Sequence, residues 1–248
     1  MSTVSQKPGP KLAQAKIVRR DDLTPDLMRL WIEKPPGFSF KAGQYCTIGL
    51  EGIERAYSIL SAPYEKDLEL FIELVPLPDG VLTPRLWNLK VGDSVSIRPR
   101  AKGLFIFKPD LPNQLMVGTV TGVVPYISII RDYLNSGKHE HHFYVLAGAS
   151  YIDELAYNGE LEQLSGENPD ILTFVSTVSR PAEERNKVWT GETGRVNLIV
   201  ERYIDKLGLT PENTLVYACG HPSMIEDVKS RLVPQGFRVE EERFWKED

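Results

Sequence analysis

Lys108-Pro109-Asp110-Leu111-Pro112-Asn113 marks a change of rhythm in this chain, and the text on its two sides reads as two different architectures. Two prolines within six residues suit neither a helix nor a central strand, so the segment reads as a linker. Downstream, strand-like and helix-like segments alternate: strands at 114–118, 142–147, 171–178 and 214–218, and helices at 125–134, 153–164, 196–206 and 222–232. Strict alternation builds βαβ units around a buried parallel sheet, so this half reads as a doubly wound α/β domain. Upstream, short strands at 16–18, 27–32, 44–50, 68–75, 95–98 and 104–107 are separated by turn tokens such as Pro35-Pro36-Gly37 and Pro78-Asp79-Gly80. Six strands at close spacing with one helix-like insert, 83–89, read as an antiparallel β-barrel. Thr83 fits the N-cap of that insert and Pro84 its first helical position. The domain boundaries are expected at 1–110 and 111–248.

Bulk properties agree with two ordinary domains. The chain has 248 residues, 42% of them hydrophobic and 25% charged, which is globular composition with room for two cores. A net charge of −5 argues against a nucleic-acid binder, which normally shows a basic stripe. Cys46 and Cys219 are the only cysteines, and their separation supports neither a disulfide framework nor a zinc or iron–sulfur site. His139, His141 and His142 share one polar turn without a Cys or acidic partner at ligand spacing, so no metal is expected there. No apolar run reaches the ~18 residues of a membrane span. Residues 1–11 are polar with Pro8 and Pro10, which is neither a signal peptide nor an anchor. Cytoplasmic residence is the expectation.

Three stretches carry candidate chemistry. In Arg55-Ala56-Tyr57-Ser58, period-two alternation on a strand puts Arg55 and Tyr57 on one face. There a guanidinium can pair with a pyrophosphate while a phenol ring lies against a large conjugated ring. Ser58 reaches the same ring only if the strand ends or bends at that point. Gly80-Val81-Leu82-Thr83 opens the short helix, and its free N–H groups can seat a phosphate, or Thr83 can simply cap them. Gly118-Thr119-Val120-Thr121-Gly122-Val123-Val124-Pro125 joins the first parallel strand to its helix, at the crevice where nucleotides bind in such sheets.

These motifs, followed by Val178-Ser179-Arg180, Thr193-Gly194-Arg195, Cys219-Gly220-His221-Pro222 and a closing Arg243-Phe244-Trp245, stand in a fixed order. That order resembles the bacterial ferredoxin/flavodoxin–NADP reductases, within the ferredoxin-reductase-like flavoproteins, from about Lys16 to the C-terminus. The resemblance implies an FAD-binding barrel, an NADP-binding α/β domain, and electron exchange between NADPH and ferredoxin or flavodoxin by a cytoplasmic monomer. It assigns Arg55, Ala56, Tyr57, Ser58, Val81, Leu82, Thr83 and Thr121 to FAD, with Phe244 or Trp245 covering part of the flavin. It assigns Gly118, Thr119, Ser179, Arg180, Arg195, Cys219 and Gly220 to NADP, with Ser179 and the two arginines on the 2′-phosphate and Cys219 beside the nicotinamide. Ser58 and Cys219 are the implied catalytic pair, flanking the reacting rings. Read without the resemblance, Arg180 and Arg195 are surface arginines paired with Glu183, Glu184 or Glu192, and Cys219 is a small buried residue.

The chain departs from the family pattern at three positions. Val120 stands where relatives usually carry glycine, Val124 where they often carry Gly or Ala, and Ser150 where enteric-type relatives carry arginine. Side chains at 120 and 124 make a close approach of backbone to pyrophosphate harder. Two other readings share the scaffold: an NADH- or NADPH-dependent reductase feeding an oxygenase or free flavins, and a non-enzymatic flavin sensor.

Overall fold

The structure is a computed structural model, and it describes residues 12–243. The first half is a six-stranded antiparallel sheet made of β1 (Ala13–Thr24), β2 (Leu27–Glu33), β3 (Tyr45–Leu50), β4 (Ile53–Ser58), β5 (Asp67–Glu73) and, after the one-turn α1 (Thr83–Leu86), β6 (Ser94–Ile97). Their spatial order is β4-β3-β6-β1-β2-β5. Alternation sets which side chains fill it: Met28, Leu30 and Ile32 of β2 and Leu68, Leu70 and Ile72 of β5 enter one core with Ile48, Val95 and Ile97. The opposite face of β5 is covered as well. Phe71 packs into the second half of the molecule, and Glu69 is only 4% exposed.

The second half is a six-stranded parallel sheet. In chain order it comprises β7 (Asn113–Thr119), α2 (Val124–Asn135), β8 (His142–Ala149), α3 (Asn158–Glu167), β9 (Leu172–Val178), β10 (Glu192–Thr193), α4 (Val196–Leu207), β11 (Thr214–Gly220), α5 (Pro222–Leu232) and β12 (Arg238–Arg243). The strand order is β10-β9-β8-β7-β11-β12. One face packs on α4 and α5, the other on α2 and α3. Residues 122–130 at the start of α2 are buried all round, because that helix lies between the sheet and the barrel. Its polar atoms are satisfied there. Tyr126 Oη donates to the carbonyls of Val117 at 2.8 Å and Tyr217 at 3.2 Å, and Ser128 Oγ donates to the Ser61 carbonyl at 2.8 Å.

The barrel-plus-doubly-wound architecture is the one expected, with five local differences. Residues 104–107 form no strand. Phe105 instead packs its ring on Tyr217 at 5.4 Å and Tyr126 at 6.0 Å, so this apolar run fills the seam rather than a ladder. The sixth barrel strand is β4, which contains Arg55–Ser58. The insert expected at 83–89 is helical only over Thr83–Leu86, and its N-cap is Leu82. The Thr83 hydroxyl is committed elsewhere, accepting from Val75 N at 3.0 Å and donating to Val75 O at 2.9 Å. The helix expected at 153–164 divides into a 3-10 turn, Ile152–Glu154, and α3. The fifth difference is the addition of two strands: the short β10, parallel to β9, and β12, parallel to β11 from Leu215↔Arg238 to Gly220↔Arg243.

Candidate functional site

A cavity of about 600 Å³ lies where the two halves meet, within the range typical of small-molecule and cofactor sites, roughly 300–1,000 Å³. Arg55, Ala56, Tyr57 and Ser58 form one wall, the end of β4. Strand β4 stops at Ser58, so the alternation ends there and the hydroxyl turns to the same cavity as Tyr57. Val81, Leu82 and Thr83 form a second wall, and Thr121 and Val124 close it from the α/β side. Eight of the expected residues, drawn from three separate segments, thus border one space.

Local chemistry explains how each wall is held. Gly80 is required by packing, because a Cβ there would lie 1.7 Å from the Val75 carbonyl oxygen. With the Thr83–Val75 bonds it folds 75–83 back onto the cavity. The Arg55 guanidinium donates to the Glu54 carbonyl at 2.8 Å and forms no ion pair among the described residues. A free guanidinium on a cavity wall suits a phosphate-bearing ligand. Burial pushes the Tyr57 phenol up, so the ring is a neutral flat surface.

The loop after β7 is tighter than its sequence suggests. Strand β7 runs through Thr119, then Val120–Val123 form a 3-10 turn leading into α2. Val120 has φ 45°, a left-handed conformation that a β-branched side chain strongly disfavours. Gly122 lets this turn press on β11, since a Cβ there would sit 2.2 Å from the Cys219 carbonyl oxygen. Thr119 Oγ1 accepts from His221 N at 3.0 Å, joining the ends of β7 and β11.

The remaining expected residues that the structure describes do not line the cavity. Gly118, Thr119, Cys219 and Gly220 sit at the carboxyl ends of the neighbouring strands β7 and β11. Cys219 is fully buried and burial pushes its thiol well up, so it is a neutral packing group rather than a thiolate. Ser179 and Arg180 lie past the end of β9, and Arg195 precedes α4. Arg180 donates to Tyr151 Oη at 2.8 Å and pairs with Glu183 at 3.6 Å, while Tyr151 Oη donates to Glu183 at 2.6 Å. Arg195 has no ion pair among the described residues; Glu192 is taken by Arg202 and Glu184 by Lys187. Phe244 and Trp245 lie outside the described residues.

Glu242 belongs to the site and escaped the sequence reading. It comes from β12, lines the cavity, and accepts a hydrogen bond from Ser58 Oγ at 3.2 Å. Burial raises its carboxyl to about 7, with the Ser58 hydroxyl pulling weakly the other way. Tyr45 of β3, the register partner of Ser58, borders the same corner. The signal for Glu242 was obscured by the run Glu240-Glu241-Glu242, which reads as a solvated tail until its strand register is known. Among the described residues no group of three His, Cys, Asp or Glu is placed to hold a metal ion, and no helix is long and apolar enough to cross a membrane.

A barrel and a doubly wound sheet sharing a cavity at their seam define a two-domain nucleotide-dependent oxidoreductase. Residues 116–230 match the family described as "Oxidoreductase NAD-binding domain". The chain is 32% identical over 227 residues to the flavodoxin/ferredoxin–NADP reductase of Shigella flexneri, covering 86% of this chain and 87% of that one. It is 31% identical over 217 residues to the ferredoxin–NADP reductase of Pseudomonas aeruginosa, covering 82% of each. A ferredoxin NADP+ reductase from Neisseria gonorrhoeae, solved with bound FAD and NADP, superposes with a TM-score of 0.82 at 27% identity, over 95% of this chain and 99% of that one. The chain belongs to the flavodoxin/ferredoxin–NADP reductase family.

Proposed function

We propose that the protein is an FAD-dependent reductase that exchanges electrons between NADPH and a ferredoxin or flavodoxin. The observation that carries this reading is the convergence of Arg55–Ser58, Val81–Thr83 and Thr121 on one cavity at the seam. Bound FAD supplies chemistry that side chains lack, accepting a hydride from NADPH and releasing electrons singly to the protein partner. Arg55 binds the pyrophosphate, and the backbone at Val81–Thr83 holds its other side. Tyr57, Ser58 and Thr121 would hold the isoalloxazine of that FAD. Glu242 accepts a hydrogen bond from the Ser58 hydroxyl at Oε2, which leaves Oε1 as the atom that carries its proton near neutral pH. Gly118, Thr119 and Gly220 offer backbone to the nicotinamide nucleotide, with Cys219 packed beneath. Ser179, Arg180 and Arg195 take the 2′-phosphate, and Phe244 or Trp245 shields the flavin. Residues 1–110 and 111–248 serve as the two domains, in a cytoplasmic monomer.

One observation favours a second reading, a reductase that also accepts NADH. Glu183 already engages Arg180, so a 2′-phosphate must compete with a carboxylate for that guanidinium. Purified protein should be yellow, and turnover with NADPH and NADH against ferredoxin, flavodoxin and ferricyanide separates the two. A colourless protein that takes up no FAD refutes both.

A further inference from the structure

Outside the cavity, the half-buried Arg131 on α2 carries a side-chain network of its own. Its guanidinium forks onto Glu160 of α3 at 2.7 and 2.8 Å. The remaining nitrogen donates to Glu69 of β5 at 2.9 Å and to Glu65, just before β5, at 3.2 Å. Glu69 has a side chain only 5% exposed and receives a second bond, from Tyr157 Oη at 2.9 Å. Tyr157 in turn packs edge-on against Phe71 at 5.4 Å. This network crosses the seam between the two halves.

The two elements it joins are walls of the cavity. Phe71, Ile72 and Glu73 of β5 line it two to four residues after Glu69, and Val124 lines it at the first residue of α2. Arg131 lies seven residues on, two helical turns or roughly 10 Å from that end. Leu60, Phe71, Phe105, Tyr126 and Ile127 share one apolar cluster at the seam, and hydrophobic burial by itself has no preferred direction. A guanidinium hydrogen-bonded across the seam to Glu69 and Glu65 fixes both a distance and a direction.

We propose that Arg131 is a positioning residue: through Glu69 it fixes the gap between the β5 and α2 walls and thereby sets the approach of the nicotinamide nucleotide to the flavin. This inference rests on the functional reading above. Hydride donor and acceptor must meet at van der Waals distance, and a misplacement of about 1 Å can cost on the order of a hundredfold in rate.

The test compares Arg131→Lys, Arg131→Met and Glu69→Gln with Glu160→Gln, which breaks only the tie within the α/β half. Hydrogen exchange on FAD-free protein should speed up at 70–75 and 119–126 in the first three variants and stay unchanged at 196–207. In the FAD-loaded proteins, stopped-flow flavin reduction by NADPH should slow about tenfold or more, with FAD occupancy and the KM for NADPH within about twofold of the parent. Glu160→Gln should stay within about twofold on every readout. Folded Arg131→Lys and Glu69→Gln proteins with parental exchange and parental reduction rates overturn the proposal, as does an equal loss in Glu160→Gln. If Arg131→Met fails to fold, Arg131→Lys and Glu69→Gln decide. A parent that takes up no FAD refutes the functional reading alone, and the exchange data on FAD-free protein still judge the clamp.

Discussion

Val120→Gly tests the strain in the nucleotide loop. At an ordinary interior site glycine is less stable than alanine by about 0.4–1 kcal/mol, because the unfolded chain has more freedom to lose. Val120 is held at φ 45°, where an L-residue pays about 1–2 kcal/mol and glycine almost nothing. The valine side chain is half-buried against the cluster around Val123, Tyr157 and Leu161. Full burial of a valine contributes about 1.5–3 kcal/mol, so half-burial contributes about 1 kcal/mol, and both Val120→Gly and Val120→Ala lose most of it. For glycine, relief of about 1–2 kcal/mol opposes losses of about 1.4–2 kcal/mol, so stability should stay within about 1 kcal/mol of the parent. Alanine loses the packing and keeps the strain, so it should fall below both. The order parent ≈ Gly > Ala is the reverse of an ordinary site. In thermal unfolding the Gly–Ala gap should be a few degrees, since about 1 kcal/mol moves the midpoint of a chain this size by roughly 2–4 °C. The glycine variant should also bind NADP more tightly than the parent, followed by the change in flavin absorbance on titration. Alanine more stable than glycine would show that the left-handed turn stores no strain. Equal NADP affinity in the glycine variant would show that the side chain does not impair the loop, and weaker affinity that it supports the loop.

Three other outcomes follow from the site. Arg55→Ala should lose a charge-assisted bond worth about 1.5–3 kcal/mol and Tyr57→Ala a stacking face worth about 0.5–1.5 kcal/mol beyond area, so both should shed FAD on gel filtration; retention in both refutes their assignment. Glu242 has its carboxyl raised to about 7, so its folded state holds the proton more tightly than the unfolded chain, where a glutamate titrates near ~4.3. Its contribution to stability is fully present below the unfolded value and is lost as pH rises through about 7; Glu242→Gln should flatten that window and remove an inflection near neutral pH from the reduction rate, and an unchanged profile refutes the role. Arg180→Ala and Arg195→Ala should raise the KM for NADPH about tenfold or more and leave that for NADH nearly unchanged, whereas Glu183→Gln should lower the KM for NADPH; parallel effects on both nucleotides would assign these residues to the fold.

The parts of the molecule legible in its sequence are those where one interaction dominates. The strands β2 and β5 and the βα rhythm after residue 113 follow from burial of apolar runs, and the four expected parallel strands form where they were read. The misread parts lie where two halves compete for the same residues. The 104–107 run is apolar enough for a strand, yet Phe105 gains more by filling the seam against Tyr126 and Tyr217 than by pairing at a sheet edge. Thr83 has the chemistry of a cap, yet its hydroxyl satisfies both backbone groups of Val75, which the fold-back at Gly80 brings beside it. Strand β12 is polar because it is an edge strand, and edge strands carry charge that blocks further pairing. That same polarity masked Glu242: of three consecutive glutamates, the register that sets Cys219 beside Glu242 turns that one toward Ser58. The site is therefore partly written in residue types and partly in register. Arg55, Tyr57 and Thr121 are recognisable by chemistry, while Glu242, Glu69 and Arg131 acquire their roles only from what folding sets opposite them.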